Sequence, residues 1–414
     1  VSAGGEGADA VAVAYLWTPE AIRERAGAVL ARGLEGGLRH FRVDLACLAA
    51  TADLVASVTR ERYPDLCVPL HSRWRHFAAG GHDRVAELER ALRGHSPDEH
   101  ARARLDLAVT SVLLDAGAGS SWRYVEAETG TAYTRSEGLA VASFRLVAAG
   151  LFSTDPARPW RADAEALEAL DDDRLAAALQ VSVANPLAGL RGRAALLRRL
   201  GRALREAPRL FGKPQPRAGN LLDALRERAP DGGLEAADLL RVILTGLAPI
   251  WPARLTLGGQ NLGDVWRHPA AGGAGPAAGL VPFHKLSQWL AYSLIEPLAV
   301  AGLRITGLDR LTGLAEYRNG GLFLDAGVLA PRHEAVTRDA HQPGDEVVVE
   351  WRALTIALLD RLAPLVRERL GKAPSVLSLG AILEGGTWAA GRRLAAERRG
   401  GAPPIRVASD GTVM

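Results

Sequence analysis

Two cysteines in 414 residues, Cys47 and Cys67, leave no disulfide framework and no Cys-x-x-Cys spacing. A stapled secreted scaffold and a thiolate metal knuckle are excluded, and both thiols are expected as small buried residues in a reducing, cytoplasmic setting. Lysine is scarce: of the 50 basic side chains only Lys213, Lys285 and Lys372 are lysines, and the other 47 are arginines. That skew fits a GC-rich coding bias, and with a formal net charge of only +3 it gives little reason to expect a polyanionic partner. No run approaches the roughly 18–20 apolar residues of a membrane span, so no membrane association is expected. The opening Val1-Ser-Ala-Gly-Gly-Glu-Gly-Ala-Asp9 lacks the basic region of a secretion signal, and residues 1–14 read as a flexible N-terminus. Also missing are a Walker A loop, a strand–GxGxxG–helix unit, a G-x-S-x-G elbow, an H-E-x-x-H pair and a paired-acidic diphosphate loop. Nucleotide triphosphate chemistry, dinucleotide redox chemistry and serine hydrolysis are therefore disfavoured. His71, His76 and His82 do not have the H-x-x-x-H spacing of helical ligands, and neither a metal nor a cofactor is expected.

What remains is an ordinary globular composition, 48% hydrophobic and 23% charged, enough for a large core. Helical periodicity dominates. Thr18-Pro19-Glu20 caps and opens a first helix, and others are expected over about 44–63, 97–114, 136–150, 163–179, 187–210, 347–370 and 378–399. Trp122–Tyr133 alternates around Thr129-Gly130 as a hairpin, and 251–268 reads as a polar loop. The fold class is mainly α, an α+β protein with minor strands. Without repeats or a clear linker, residues 15–414 form a single large helical domain, open to division into two lobes with the site between them.

Three stretches stand out. At helical spacing, Phe283, Leu286, Leu290 and Leu294 fall on one face, and Lys285, Gln288, Trp289, Tyr292 and Glu296 on the other. The second face suits a site that stacks a flat group and hydrogen-bonds a polar one, or an amphipathic core helix packed through its aromatics. Leu311–Gly321 reads as a short helix stopped by Asn319-Gly320-Gly321, with Glu316 and Arg318 just before the stop. His71-Ser-Arg-Trp-Arg-His-Phe77 could bind an anion or stack a base, or its arginines could pair with Asp65 and Asp83. Along Leu187–Leu210, six arginines between Arg191 and Arg205 are the best nucleic-acid candidate. No aromatics interleave them, so a solvated face is the better reading.

His71–Phe77, Phe283-His-Lys-Leu-Ser-Gln-Trp-Leu290, Leu311-Thr-Gly-Leu-Ala-Glu-Tyr-Arg-Asn-Gly-Gly321, Leu383-Glu-Gly-Gly-Thr-Trp388 and Ser409-Asp-Gly-Thr-Val413 resemble the uracil-catabolism protein family that includes the fungal Urc4 and Urg3 proteins. The resemblance extends from about Leu16 to the end. A more distant likeness is to the queuosine 5′-phosphate N-glycosylases, whose F-Y-K-x-x-Q-L, L-T-x-F-A-D-Y-R and E-x-E-I-R-A runs are similar to Phe283–Trp289, Leu311–Arg318 and Val349–Ala353. Ile22-Arg-Glu-Arg-Ala26 is similar to that family's opening helix. It implies a helical fold of the DNA-glycosylase kind and cleavage of an N-ribosyl bond, with Glu316 here in place of the family's aspartate.

The pathway implied passes through ribosylurea with late release of urea, so the substrate expected is ribosylurea or its 5′-phosphate, a small nucleoside- or nucleotide-derived molecule. Bond cleavage builds positive charge on the sugar, which Glu316 would stabilise while orienting water or attacking. Lys285 with Arg73 or Arg75 would hold a phosphate or hydroxyls, with Arg318, His71 and Glu350 as further polar contacts. Trp74, Trp289 and Tyr292 would wall the substrate, Gln288 would hydrogen-bond the leaving group, and His76 or Asp410 would protonate it. Two other classes stay open: a nucleic-acid binder or base-excision glycosylase, and a non-catalytic pathway partner.

Overall fold

A computed structural model of the chain describes residues 3–119, 121–408 and 410–412; Ser409 and Val413 of the last motif lie outside them. It is mainly α-helical, with six short two-stranded pairings and no larger sheet among the described residues. None of the described helices is long and apolar enough to cross a membrane. The chain divides into two compact units, each assembled from separated stretches.

The first unit comprises Val1–His71, Ala253–Gln288 and Gly307–Ala408. Helix Pro19–Leu34 begins as expected: the Thr18 side chain accepts from the Ala21 N–H and proline sits in the first turn. With helix Leu48–Arg62 it packs against the long helix Glu346–Leu370, whose Trp351, Leu354, Leu358 and Leu362 are all buried. Helix Tyr317–Asp325 lies against Trp388–Arg399. Short pairs tie the helices: Phe41–Val43 runs antiparallel to Leu329–Pro331, and Val265–Arg267 antiparallel to Leu280–Pro282. Strand Val265–Arg267 falls within 251–268, the stretch expected as a loop. Instead of a flexible start, Ala3–Leu16 is a helix, because Ala12, Val13 and Leu16 bury against Leu262, Val265 and Leu280. Cys67 is exposed and Cys47 half-buried, not the core residues expected; Cys67 N–H donates to Asp65 in a surface turn.

The second unit comprises Ser72–Pro252, Trp289–Thr306 and Ser409–Met414. Helices Pro97–Leu113 and Arg135–Ala148 pack together, and the expected hairpin pairs Arg123–Val125 with Ala132–Thr134. The arginine-rich helix Leu190–Glu206 does not present a uniform basic face. Arg193 is fully buried and donates to the carbonyls of Leu114, Ala188 and Gly117; Arg198, Arg199 and Arg205 bind Asp172, Ile250 O and Glu168. Those side chains satisfy neighbouring backbone and carboxylates, where a nucleic-acid surface would need them turned outward.

Helix Lys285–Val300 contributes Lys285–Gln288 to the first unit and its remaining residues to the second. The two faces read from the sequence are both buried, from Lys285 through Leu294. Glu296, half-buried, is a structural partner that binds Arg75 and accepts from the Ser72 hydroxyl. Pro297 lacks the N–H that would cap the Ser293 carbonyl one turn back, and the Trp74 indole N–H donates there at 2.7 Å.

Candidate functional site

In the first unit the candidate site grows from one local reversal of the sequence reading. Asn319-Gly320-Gly321 does not stop a helix; it lies in the opening turn of Tyr317–Asp325, and Glu316 is the N-cap. The glycines are needed for packing. A Cβ on Gly320 would lie 2.6 Å from the Trp351 ring, and the Trp351 indole donates to the Gly320 carbonyl at 3.1 Å. Glu316 has extended backbone and its carboxylate accepts the N–H groups of Arg318 at 2.7 Å and Asn319 at 2.5 Å. Those donors belong to the positive end of the helix dipole, which favours an anion there. Burial pushes the Glu316 carboxyl above its ordinary value, opposed by the two N–H donors and by the charges of Lys285 and Arg318.

Two amides hang from the same segment. Gln288 donates its side-chain N–H to Thr312 Oγ1 at 2.9 Å, and the Thr312 hydroxyl is in turn directed at the Gly313 carbonyl. Asn319 donates its side-chain N–H to the Leu314 carbonyl at 3.2 Å. These partners fix both amides with their oxygens turned away, and Gln288 Oε1 and Asn319 Oδ1 are fully buried with no hydrogen-bond partner among the described residues. A buried acceptor left unpaired costs about 1–3 kcal/mol, and each of these oxygens can accept from an N–H or O–H donor.

The start of the Lys285 helix is held from a distance. Asp264 accepts the Lys285 backbone N–H at 3.0 Å through its side chain, and the Phe283 and His284 N–H groups through its carbonyl. Its carboxylate is gripped by both Arg352 terminal nitrogens at 2.8 and 2.7 Å and by the Trp266 indole at 2.6 Å. Burial alone would raise the Asp264 carboxyl; the Arg352 charge and these donors outweigh it and hold it well below the usual range. The Arg352 guanidinium also lies 4.1 Å from the Phe283 ring centre. His284, between these residues, sits at φ +47, a left-handed conformation that a histidine rarely adopts, and bonds the Leu16 carbonyl at 3.0 Å. A strained residue immediately before Lys285 is the kind of feature that concentrates at working sites.

Other sequence candidates in this unit are structural in their visible contacts. Arg318 donates to the Gly401 carbonyl and lies over Tyr317. Glu350 uses one oxygen to accept the His40 and Phe41 N–H groups. His71 bonds Glu384 at 2.8 Å, and Glu384 also takes Arg62 and the Tyr63 hydroxyl. Glu384 lies in a π-helical turn, Leu383–Thr387, made possible by Gly385 and Gly386 packing against Val55 and Thr59. Burial would raise its carboxyl, but His71 and Arg62 hold it down at about 2.

In the second unit, Arg73, fully buried, donates to Ser111 Oγ at 2.6 Å and to the Ser136 carbonyl at 3.1 Å, and pairs with Asp115 at 3.1 Å. The arginines of this motif thus pair with Asp115 and Glu296, not with Asp65 and Asp83. Burial depresses the Arg73 guanidinium, opposed by Asp115, and its Nη2 has no hydrogen-bond partner among the described residues. His76 lies 3.3 Å from the Ser136 hydroxyl, and its ring and the Arg73 guanidinium both approach Trp289, at 5.7 and 5.4 Å. Tyr292 is fully buried. Asp410 is exposed and closes a local turn by accepting from the Thr412 N–H and hydroxyl, which is not the setting of a buried proton donor.

Asp264, Asp115 and Ser136 escaped the sequence reading, and Thr312, Asn319 and Arg352 stood inside its motifs without a role in the site. Asp264 and Arg352 are 88 residues apart, and no spacing rule joins them.

These features define a mainly helical protein with a dehydrated carboxylate set at a helix start under the charge of a buried lysine. The chain belongs to the DUF1688 family, described as "Protein of unknown function (DUF1688)", which it matches over residues 15–414. It is 40% identical to "Protein urg3" of Schizosaccharomyces pombe, across 97% of this chain and 98% of that protein. It is likewise 40% identical to "Uracil catabolism protein 4" of Lachancea kluyveri, across 92% of this chain and 93% of the relative.

Proposed function

We propose that this chain acts in uracil catabolism as an N-ribosyl hydrolase, cleaving ribosylurea or its 5′-phosphate to urea and ribose or ribose 5-phosphate. The place in uracil catabolism rests on the relative named for that process. The chemistry is supported above all by two unpartnered amide oxygens: Asn319 Oδ1, in the helix turn that Glu316 caps, and Gln288 Oε1, whose amide is tied to Thr312 of the stretch leading into Glu316. An ureido group presents several N–H donors, and acceptors already fixed by Thr312 and Leu314 suit it.

In the reaction the C1–N bond breaks, its electron pair leaves with urea, and a water oxygen bonds C1. One water proton goes to the departing nitrogen and the other stays on the new hydroxyl. Positive charge develops on the sugar as the bond breaks, and the fixed Glu316 carboxylate stabilises it or takes the water proton. Lys285 lowers the cost of keeping that carboxylate ionised while buried. Urea release from pure protein given ribosylurea and, separately, its 5′-phosphate tests the reading. Glu316→Gln should lower turnover by about 10²–10³-fold. A folded Gln variant with wild-type turnover, or no urea from either compound, overturns it.

A further inference from the structure

We propose that His40, Glu346 and Glu350 bind one divalent first-row transition-metal ion. Glu346 and Glu350 stand one turn apart at the start of the long helix, on one face, and His40 immediately precedes the strand Phe41–Val43. One imidazole nitrogen and one oxygen from each carboxylate lie within 4.8 Å of one another. Ligand atoms at about 2.0–2.2 Å from a common ion sit roughly 3–4.5 Å apart, so the cluster has the right size. His40 Nε2 is 3.8 Å from Glu346 Oε1, too far for a hydrogen bond and suitable for two ligands of one ion.

The surroundings free these particular atoms. Glu350 Oε1 accepts the His40 N–H at 3.1 Å and the Phe41 N–H at 2.8 Å, which fixes the carboxylate and leaves Oε2 over. Glu350 Oε2 and His40 Nε2 are both buried and have no hydrogen-bond partner among the described residues. His40 Nδ1 lies 3.0 Å from His333 Nε2, so a proton on Nδ1 shared with His333 leaves the Nε2 lone pair for a metal. His268 faces the same Glu350 oxygen. Its Nδ1 accepts from the Ala270 N–H at 3.1 Å, which places the proton on Nε2, 3.5 Å from Glu350 Oε2. The Glu346 side chain is 34% exposed, which gives an ion a way in and leaves room for water as a further ligand. One imidazole with two carboxylates suits Zn²⁺, Mn²⁺ or Fe²⁺. None of these residues is among His71, His76 and His82, the histidines on which the expectation of no metal was based.

Untagged protein, stripped with chelator and titrated with Zn²⁺, Mn²⁺ and Co²⁺, tests this without recourse to activity. One equivalent of at least one ion should bind with micromolar or tighter affinity and raise the thermal midpoint. Glu346→Gln, at a part-exposed position that the fold tolerates, should weaken binding at least about tenfold, and His40→Asn should do so more severely. Less than one equivalent of every ion, or Glu346→Gln protein that titrates as wild type, overturns the proposal. Should His40→Asn fail to fold, the Glu346→Gln titration decides.

Discussion

Substitution of Glu316 separates its roles as a cap and as a buried charge. Alanine removes the acceptor for two buried N–H groups, of Arg318 and Asn319. Loss of the cap costs about 1 kcal/mol and a stranded buried donor about 1–3 kcal/mol, so Glu316→Ala should lose about 2–4 kcal/mol in chemical denaturation. Glutamine keeps a carbonyl oxygen for capping and discards the charge, and should stay within about 1 kcal/mol of wild type. The pH dependence carries a sign. Burial raises the folded carboxyl above 4.5, so the folded state holds the proton more tightly than the unfolded chain. That contribution is fully present below 4.5 and is lost as pH rises through the folded value. Wild type should therefore gain on Glu316→Gln as pH falls from 7 towards 4.5. Denaturant midpoints across that range read the gap directly. A gap that stays constant, or an alanine variant as stable as wild type, would refute the argument that burial governs this carboxylate and that it caps the helix.

Asp264→Asn should cost about 3–5 kcal/mol in urea denaturation, because it leaves Arg352 buried beside a neutral amide. For Glu384, held at about 2 against an ordinary 4.5, the stabilisation is present above pH 4.5 and lost as pH falls towards 2. It amounts to about 3 kcal/mol at neutral pH, and acid titration of Glu384→Gln should lack that part of the slope. Gly320→Ala should destabilise by about 1–3 kcal/mol through its clash with Trp351, read as a lowered thermal midpoint.

Much of the helical framework was legible because its signals are local. Thr18-Pro19 caps a helix wherever it occurs, and the alternation around Gly130 closes a hairpin without help from the rest of the chain. Reading failed where a distant partner overrides local preference. Asn-Gly-Gly normally ends a helix, but Trp351 packing on Gly320 and the Glu316 cap turn it into a beginning. The central helix reads as two-faced at helical spacing although both kinds of side chain are buried, because burial is not encoded by period alone. Lys285, Gln288 and Glu316 stood out from helical spacing and motif resemblance, whereas the pairing of Asp264 with Arg352, which sets the helix start, is visible only once the chain is folded.

The interleaving of the two units bears on synthesis of the chain. Helix Pro19–Leu34 is made early, yet the helix it packs on, Glu346–Leu370, comes far later; Arg23 and its partner Asp360 are 337 residues apart. At ribosomal speeds the first unit's early helices wait on the order of tens of seconds before their apolar faces can be covered. Over the same interval Ser72–Pro252, the bulk of the second unit, is already complete. Nascent chains should therefore gain protease resistance there first, and the early helices are the segment most in need of a chaperone.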